Sequence, residues 1–156
     1  MSAVIEKHDH HHGPQKGVLR WLFTTNHKDI GTLYLWFSFL MFLTGGAMAM
    51  GIRAELFEPG LQLMDPIRYN QLVTMHGLIM IFGGVMPAFV GLANWLIPMQ
   101  VGAPDMALPR MNNLSFWLLP AAFTILLSTA FMEGGMPGFG WTFYAPLSTN
   151  YPNIAY

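Results

Sequence analysis

One histidine stands apart from the other ionisable residues of this chain. The stretch 69–104 contains no Asp, Glu, Lys or Arg, and His76 is its only histidine. A polar group that deep in an apolar run is costly, and by default it has a function. Three chemistries are open to such an imidazole: a hydrogen bond to a neighbouring helix, a proton relay, or ligation of a metal or haem iron. On a helical wheel of about 100° per residue, Gly83, Pro87, Gly91 and Asn94 fall within about 60° of it. That face is nearly stripped of bulk. Small residues admit a second helix closely, and they equally leave room for a flat macrocycle bound through the imidazole. In both cases the face looks into protein rather than lipid, and Pro87 predicts a kink along it.

A second polar group lies at the other end of the same segment. Asn94 follows His76 by 18 residues, about five helical turns, and so shares its face. Asp105, Asn112 and Asn113 come next, in a loop 102–113 that Pro104 and Pro109 keep from forming one continuous helix. Ordinary readings are available: Asp105 pairing with Arg110, or Asn112 capping the next helix. The sharper reading is a carboxylate at an aqueous mouth, backed by amides that hold water. Spacing alone leaves these open. Far upstream, His8-Asp9-His10-His11-His12 reads as a solvated tail, with divalent-metal binding as the alternative.

The elements that must position these residues are membrane helices. Of 156 residues, 53% are hydrophobic and 10% charged, less than half the charge of an average soluble domain. The chain is too apolar for disorder and lacks the alternating short strands of an outer-membrane barrel. A net charge of −1 without a basic stripe argues against nucleic acid as a partner. The absence of cysteine excludes disulfides, iron–sulfur clusters and thiolate zinc sites within it.

Three stretches lack Asp, Glu, Lys and Arg, and about 20 apolar residues suffice to cross a bilayer. They predict an all-α integral membrane protein with transmembrane helices near 30–52, 70–99 and 113–132. The helices fall within a region 29–133. A tail and interfacial segment, 1–28, precedes it, and a Gly/Pro-rich aromatic loop, 134–156, follows. Neither a cleavable signal peptide nor an internal repeat is expected. Lys16, Arg20 and Lys28 before the first helix, with Arg110 in the second loop, outweigh Arg53 and Arg68, which Glu55, Glu58 and Asp65 dilute. The positive-inside rule then puts the N-terminus and Asp105 in the cytoplasm and His76 near the outer face.

Several of these runs resemble a known family. They are Thr24-Thr25-Asn26-His27-Lys28-Asp29-Ile30-Gly31-Thr32-Leu33-Tyr34, Arg53-Ala54-Glu55-Leu56 and Thr74-Met75-His76-Gly77-Leu78-Ile79-Met80-Ile81-Phe82. Asn94-Trp95-Leu96-Ile97-Pro98, the 102–113 segment, Ser115-Phe116-Trp117-Leu118-Leu119-Pro120 and Gly140-Trp141-Thr142 complete the set. In this order they are similar to the N-terminal portion of subunit 1 of the haem–copper terminal oxidases, cytochrome c oxidase of bacterial type. The resemblance implies a bundle of about twelve helices, three of them in this chain.

It also implies roles. His76 matches one axial ligand of a low-spin haem a, and Arg53 the arginine that hydrogen-bonds the haem formyl group. Asp105 matches the entrance of the D proton pathway, and Asn94, Asn112 and Asn113 its water-holding amides. Trp141 and Tyr144 match aromatic residues near the haem propionates. Glu55 and Gly60, with Gln62, match a calcium or sodium site. The second haem ligand, the high-spin haem and the copper ligands belong to later helices, so this chain is expected to be an N-terminal fragment, unable alone to reduce oxygen. The whole enzyme implied passes electrons from cytochrome c to oxygen, forms water and pumps protons. Its setting is a bacterial inner membrane, with subunits 2 and 3 and the remainder of subunit 1 as partners. The alternatives are a quinol-oxidising relative, a non-catalytic membrane module, and a transporter with a buried histidine relay. Arg53 favours haem a over haem b.

Overall fold

The computed structural model describes residues 17–150, and among them there is helix, turn and loop but no strand. The His-rich run His8-Asp9-His10-His11-His12 lies outside the described residues. A short helix α1 (Val18–Phe23) leads into α2 (His27–Glu55). Helix α3 (Pro66–Leu78) passes through a π-helical segment, Ile79–Val85, into α4 (Met86–Val101). Helix α5 (Pro109–Ser128) ends in a 3₁₀ turn, Thr129–Phe131, and α6 (Leu147–Asn150) follows a loop. Three helices are long and apolar enough to cross a membrane: His27–Glu55, Pro66–Val101 and Pro109–Phe131. The second has 36 residues, more than the roughly 20 that a span requires, so its ends overhang the hydrocarbon.

Helix α2 is the centre of the bundle, with α3, the π-helical segment, α4 and α5 packed around it. Backbones meet where side chains vanish. A Cβ added at Gly31 would lie 2.9 Å from the Gly91 carbonyl oxygen, and one at Gly91 would lie 3.0 Å from that of Gly31. Away from these crossings, Ile30, Tyr34, Phe37, Met75, Leu78, Ile79, Phe116 and Phe123 form the core. Its rings meet edge to face, Tyr34 on Phe116 at 5.2 Å and Phe37 on Phe123 at 5.4 Å between centroids, an arrangement that suits their quadrupoles. The outer faces carry exposed Phe39, Phe42, Leu118 and Ile125. Such surfaces suit lipid or further helices rather than water.

Gly83, Pro87, Gly91 and Asn94 are all buried, so the face beside His76 does look into protein. The kink expected at Pro87 takes a different form. The irregularity begins earlier, as the π-helical turns, with the Met86 N–H bonded to the Ile81 carbonyl. Proline at 87 has no N–H, and its ring would collide with the Gly83 carbonyl in an α-helix. Widening the winding just before it removes that collision. The Ser38 hydroxyl then donates to the Gly84 carbonyl at 2.6 Å, tying the widened turn to α2.

The 102–113 segment is also not a loop throughout. Pro109 stands in the first turn of α5, where its missing N–H costs nothing, so Asn112 and Asn113 are helical. Leu108 is the N-cap, and Asn112 caps nothing. At the same end of the bundle, Arg20 grips Asp29 in the first turn of α2 in a bidentate pair with contacts of 2.7 and 3.1 Å. Trp117 Nε1 donates to the Leu22 carbonyl at 3.2 Å, which ties α1 to α5.

The glycine crossing supplies a test. Gly91→Leu should force α2 and α4 apart and destabilise the pair by about 1–3 kcal/mol, the usual cost of overpacking. Gly46→Ala, with nothing within 4 Å of the new Cβ, should be close to neutral. Unfolding of the detergent-solubilised chain, followed by circular dichroism, reads the difference.

Candidate functional site

The chemistry-bearing residues gather in two clusters, at opposite ends of the α2–α4 pair. At one end, His76 is half-buried in the last turn of α3, and its Nδ1 lies 2.9 Å from the Gly45 carbonyl oxygen. A carbonyl only accepts, so Nδ1 carries a proton, and in the neutral imidazole Nε2 then keeps its lone pair. Metal-bound histidines are commonly held in this way, by a carbonyl on the far ring nitrogen. Gly45 is itself buried, and Met80 fills the space where its side chain would be.

Arg53 lies about two turns beyond Gly45 on α2, exposed, and about 80° round the helix from it. Trp141 rests on Gly77, the residue after His76, with its Cβ 3.3 Å from the position a Gly77 side chain would take. Its ring also meets Phe82, 6.5 Å between centroids. The structure therefore brings Trp141 onto Gly77, the residue after His76, and puts Arg53 on the helix that holds the imidazole. Tyr144 stands exposed in the following loop.

At the other end, Asp105 is half-buried between α4 and α5. Its Oδ1 accepts the His27 N–H at 3.2 Å and the Met106 N–H at 2.8 Å. Among the described residues the ion pairs are Arg20–Asp29 and Asp65–Arg68, so Asp105 and Arg110 are not paired. Asn94 is 3% exposed and shares a short bond with Asn112, whose Nδ2 donates to Asn94 Oδ1 at 2.6 Å. Proline explains the next contact. Pro98, four residues after Asn94, has no N–H, which leaves the Asn94 carbonyl without its helical donor. His27 Nδ1 donates to that carbonyl at 2.8 Å.

The line continues one turn along α5 to the exposed Ser115 and from there to the buried Tyr34. Ser115 Oγ donates to the Asn112 carbonyl at 2.7 Å and lies 3.0 Å from the Tyr34 hydroxyl. Asn113 Nδ2 is buried without a hydrogen-bond partner among the described residues.

Glu55 lies apart from both, at the end of α2 and buried. Its Oε1 accepts the Gln62 N–H at 2.9 Å, and its Oε2 accepts those of Leu63 at 2.7 Å and Met64 at 3.0 Å. One carboxylate thus folds the α2–α3 loop. A cleft of about 180 Å³ beside it is lined in part by Gly60, Tyr69 and Asn70. Among the described residues no three His, Cys, Asp or Glu side chains converge as a metal-binding group.

Comparison with known proteins decides the family. Residues 29–156 match the family described as "Cytochrome C and Quinol oxidase polypeptide I". The chain belongs to that family. It is 48% identical over 135 residues to a protein of Streptomyces coelicolor named "Probable cytochrome c oxidase subunit 1-alpha", covering 86% of this chain and 23% of that one. It is 43% identical over 159 residues to cytochrome c oxidase subunit 1 of Corynebacterium efficiens, covering 95% of this chain and 27% of that one. The same subunit of Corynebacterium diphtheriae is 45% identical over 138 residues, covering 87% and 24%. The chain thus spans about a quarter of the length of these relatives.

Within this oxidase-family chain, sequence reasoning passed over His27, Tyr34, Ser115 and Gly45. Three of them lie on α2 and act across the bundle, so no local pattern marks them. His27 had one signal, a proline four residues after Asn94, which predicts a carbonyl in need of a donor.

The Glu55 anchor is testable. In Glu55→Gln, the side-chain NH₂ opposes backbone donors, so the amide protons of Gln62, Leu63 and Met64 should exchange faster. Hydrogen exchange read by mass spectrometry over 60–66 checks this, and protection equal to the parent would refute the anchoring role.

Proposed function

We propose that this chain forms the N-terminal part of the catalytic subunit of a proton-pumping terminal oxidase that passes electrons from cytochrome c to oxygen, forming water. The observation that carries this reading is His76, held at Nδ1 by the Gly45 carbonyl inside an apolar span, with Nε2 bare. That is the donor state an axial haem ligand needs. His76 would bind the iron of a low-spin haem a, with Arg53 directed to the formyl group and Trp141 and Tyr144 toward the propionates. Haem a supplies one-electron transfer when bound. The high-spin haem, the copper and the second axial ligand would come from the remainder of the subunit.

The Asp105 end would admit protons. Asp105 takes a proton from the cytoplasm. Asn94, Asn112 and Asn113 then offer amides that donate and accept hydrogen bonds without titrating, so they orient water without trapping the proton. The unpartnered Asn113 Nδ2 fits that use, since a buried donor of this kind is satisfied by ordered water. The Ser115 and Tyr34 hydroxyls extend the line inward. His27 holds the mouth in shape, its backbone N–H on Asp105 and its ring on the Asn94 carbonyl.

A calcium or sodium ion at the outer end belongs to the same reading, with Glu55, Gly60 and Gln62 around it. Because Glu55 already accepts three N–H groups, the ion would share its carboxylate with the loop. The whole enzyme would sit in a bacterial inner membrane, N-terminus cytoplasmic, with subunits 2 and 3 as partners.

Two variants of the assembled enzyme test the two ends. His76→Ala should abolish the low-spin haem band while the subunit still inserts, and a normal band would refute the ligand assignment. Asp105→Asn keeps an oxygen for the His27 N–H but loses the titrating group. Oxygen reduction should slow by more than about tenfold and pumping should stop, with haem spectra unaltered. A surface carboxylate, whose pairings are worth only about 0–1 kcal/mol, would leave the ratio of protons to electrons unchanged in vesicles.

A further inference from the structure

The 134–141 loop carries Trp141 but has no regular structure of its own to hold it. Two side chains of α3 reach it. Gln71 is 8% exposed, and its Nε2 donates to the Gly134 carbonyl at 3.1 Å. Thr74 is 1% exposed, and its hydroxyl uses both of its capacities. It donates to the Asn70 carbonyl at 2.7 Å and accepts the Gly140 N–H at 2.9 Å.

The fit is close on the loop side as well. A Cβ at Gly135 would lie 2.8 Å from Gln71 Nε2, and the backbone there has φ +75°, a region that favours glycine. Gly140, at φ +80°, turns the chain so that the next residue, Trp141, falls onto Gly77. Gln71 and Thr74 sit three residues apart, on one side of α3. Neither takes part in the His76–Gly45 contact or in the Asp105 cluster.

We propose that Gln71 and Thr74 are positioning residues that clamp the 134–141 loop onto α3 and so hold the Trp141 indole over Gly77, beside His76. The proposal rests on the reading of His76 as a haem ligand for its functional consequence, but not for the clamp itself. The clamp has a separate readout.

Thr74→Val keeps the shape of the side chain and removes the hydroxyl, leaving the Gly140 N–H without an acceptor. A buried donor left unmade raises the open population by about 5- to 150-fold. In the assembled enzyme carrying this subunit, amide exchange over 139–142 should accelerate by that factor in Thr74→Val, and Thr74→Ser should restore parent protection. Gln71→Leu should accelerate exchange over 134–136, and it decides the matter if Thr74→Val does not assemble. The midpoint potential of the low-spin haem should shift in Thr74→Val at unchanged haem content, and should return to the parent value in Thr74→Ser. Parent-like exchange in both Thr74→Val and Gln71→Leu would overturn the clamp. Accelerated exchange with an unshifted potential would overturn the positioning role. Persistence of the low-spin band in His76→Ala would instead count against the haem reading and leave the exchange result standing.

Discussion

A backbone carbonyl or N–H surrounded by apolar groups must find a partner, and most of the polar side chains in this bundle are spent on meeting that demand. Thr32, Thr44 and Thr124 meet the same demand for their own hydroxyls, each donating to the helical carbonyl four residues before it. Near two of the helix prolines, α2 supplies a donor. Pro98 leaves the Asn94 carbonyl bare, and His27 fills it from α2. Pro87 widens the preceding turns into a π-helix, and Ser38 of α2 bonds the Gly84 carbonyl there. Glu55 serves three N–H groups of a loop at once. These repairs make contacts between helices out of faults within them.

Helix α2 is the common partner in nearly all of these. Its first residue, His27, holds Asp105, and its Gly45 carbonyl, five turns on, holds His76. The two clusters are therefore both referenced to one rigid helix, although they share no side chain. The close approach of Gly31 and Gly91 supports this by letting α2 and α4 lie backbone to backbone. A bulky residue at either glycine would lengthen the His27–Asn94 bond as well as the helix spacing.

The class of the chain, its three long helices and the inward face of Gly83, Pro87, Gly91 and Asn94 were legible in the sequence. Hydropathy and a constant helical period are local properties, and both survive folding here. The π-helical segment was not legible, because a wheel assumes uniform winding, and it moved the irregularity from Pro87 to the turns before it. The start of α5 was misread for a related reason. Proline breaks a helix in its interior but begins one comfortably, and Pro109 does the latter. This puts Asn112 inside a helix, where it reaches Asn94 rather than capping. The roles of His27, Gln71 and Thr74 depend on contacts with residues more than 60 positions away, which no window along the chain can see.

The arrangement around Asp105 also explains why amides, rather than further acids, follow it. A second buried carboxylate near Asn94 would either take up and keep a proton or stay ionised against a cation, and in both cases a fixed charge state would interrupt proton passage. Asn94 instead spends its Nδ2 on the Val90 carbonyl and its Oδ1 on Asn112, which locks its orientation without changing its charge. Asn94 is thereby an oriented, neutral group within the bundle. On the proposed reading, the proton enters at Asp105, and none of the amides that follow it titrates. The His76 end lies roughly 25 Å away along the helix, so α2 holds both ends without bringing their side chains into contact.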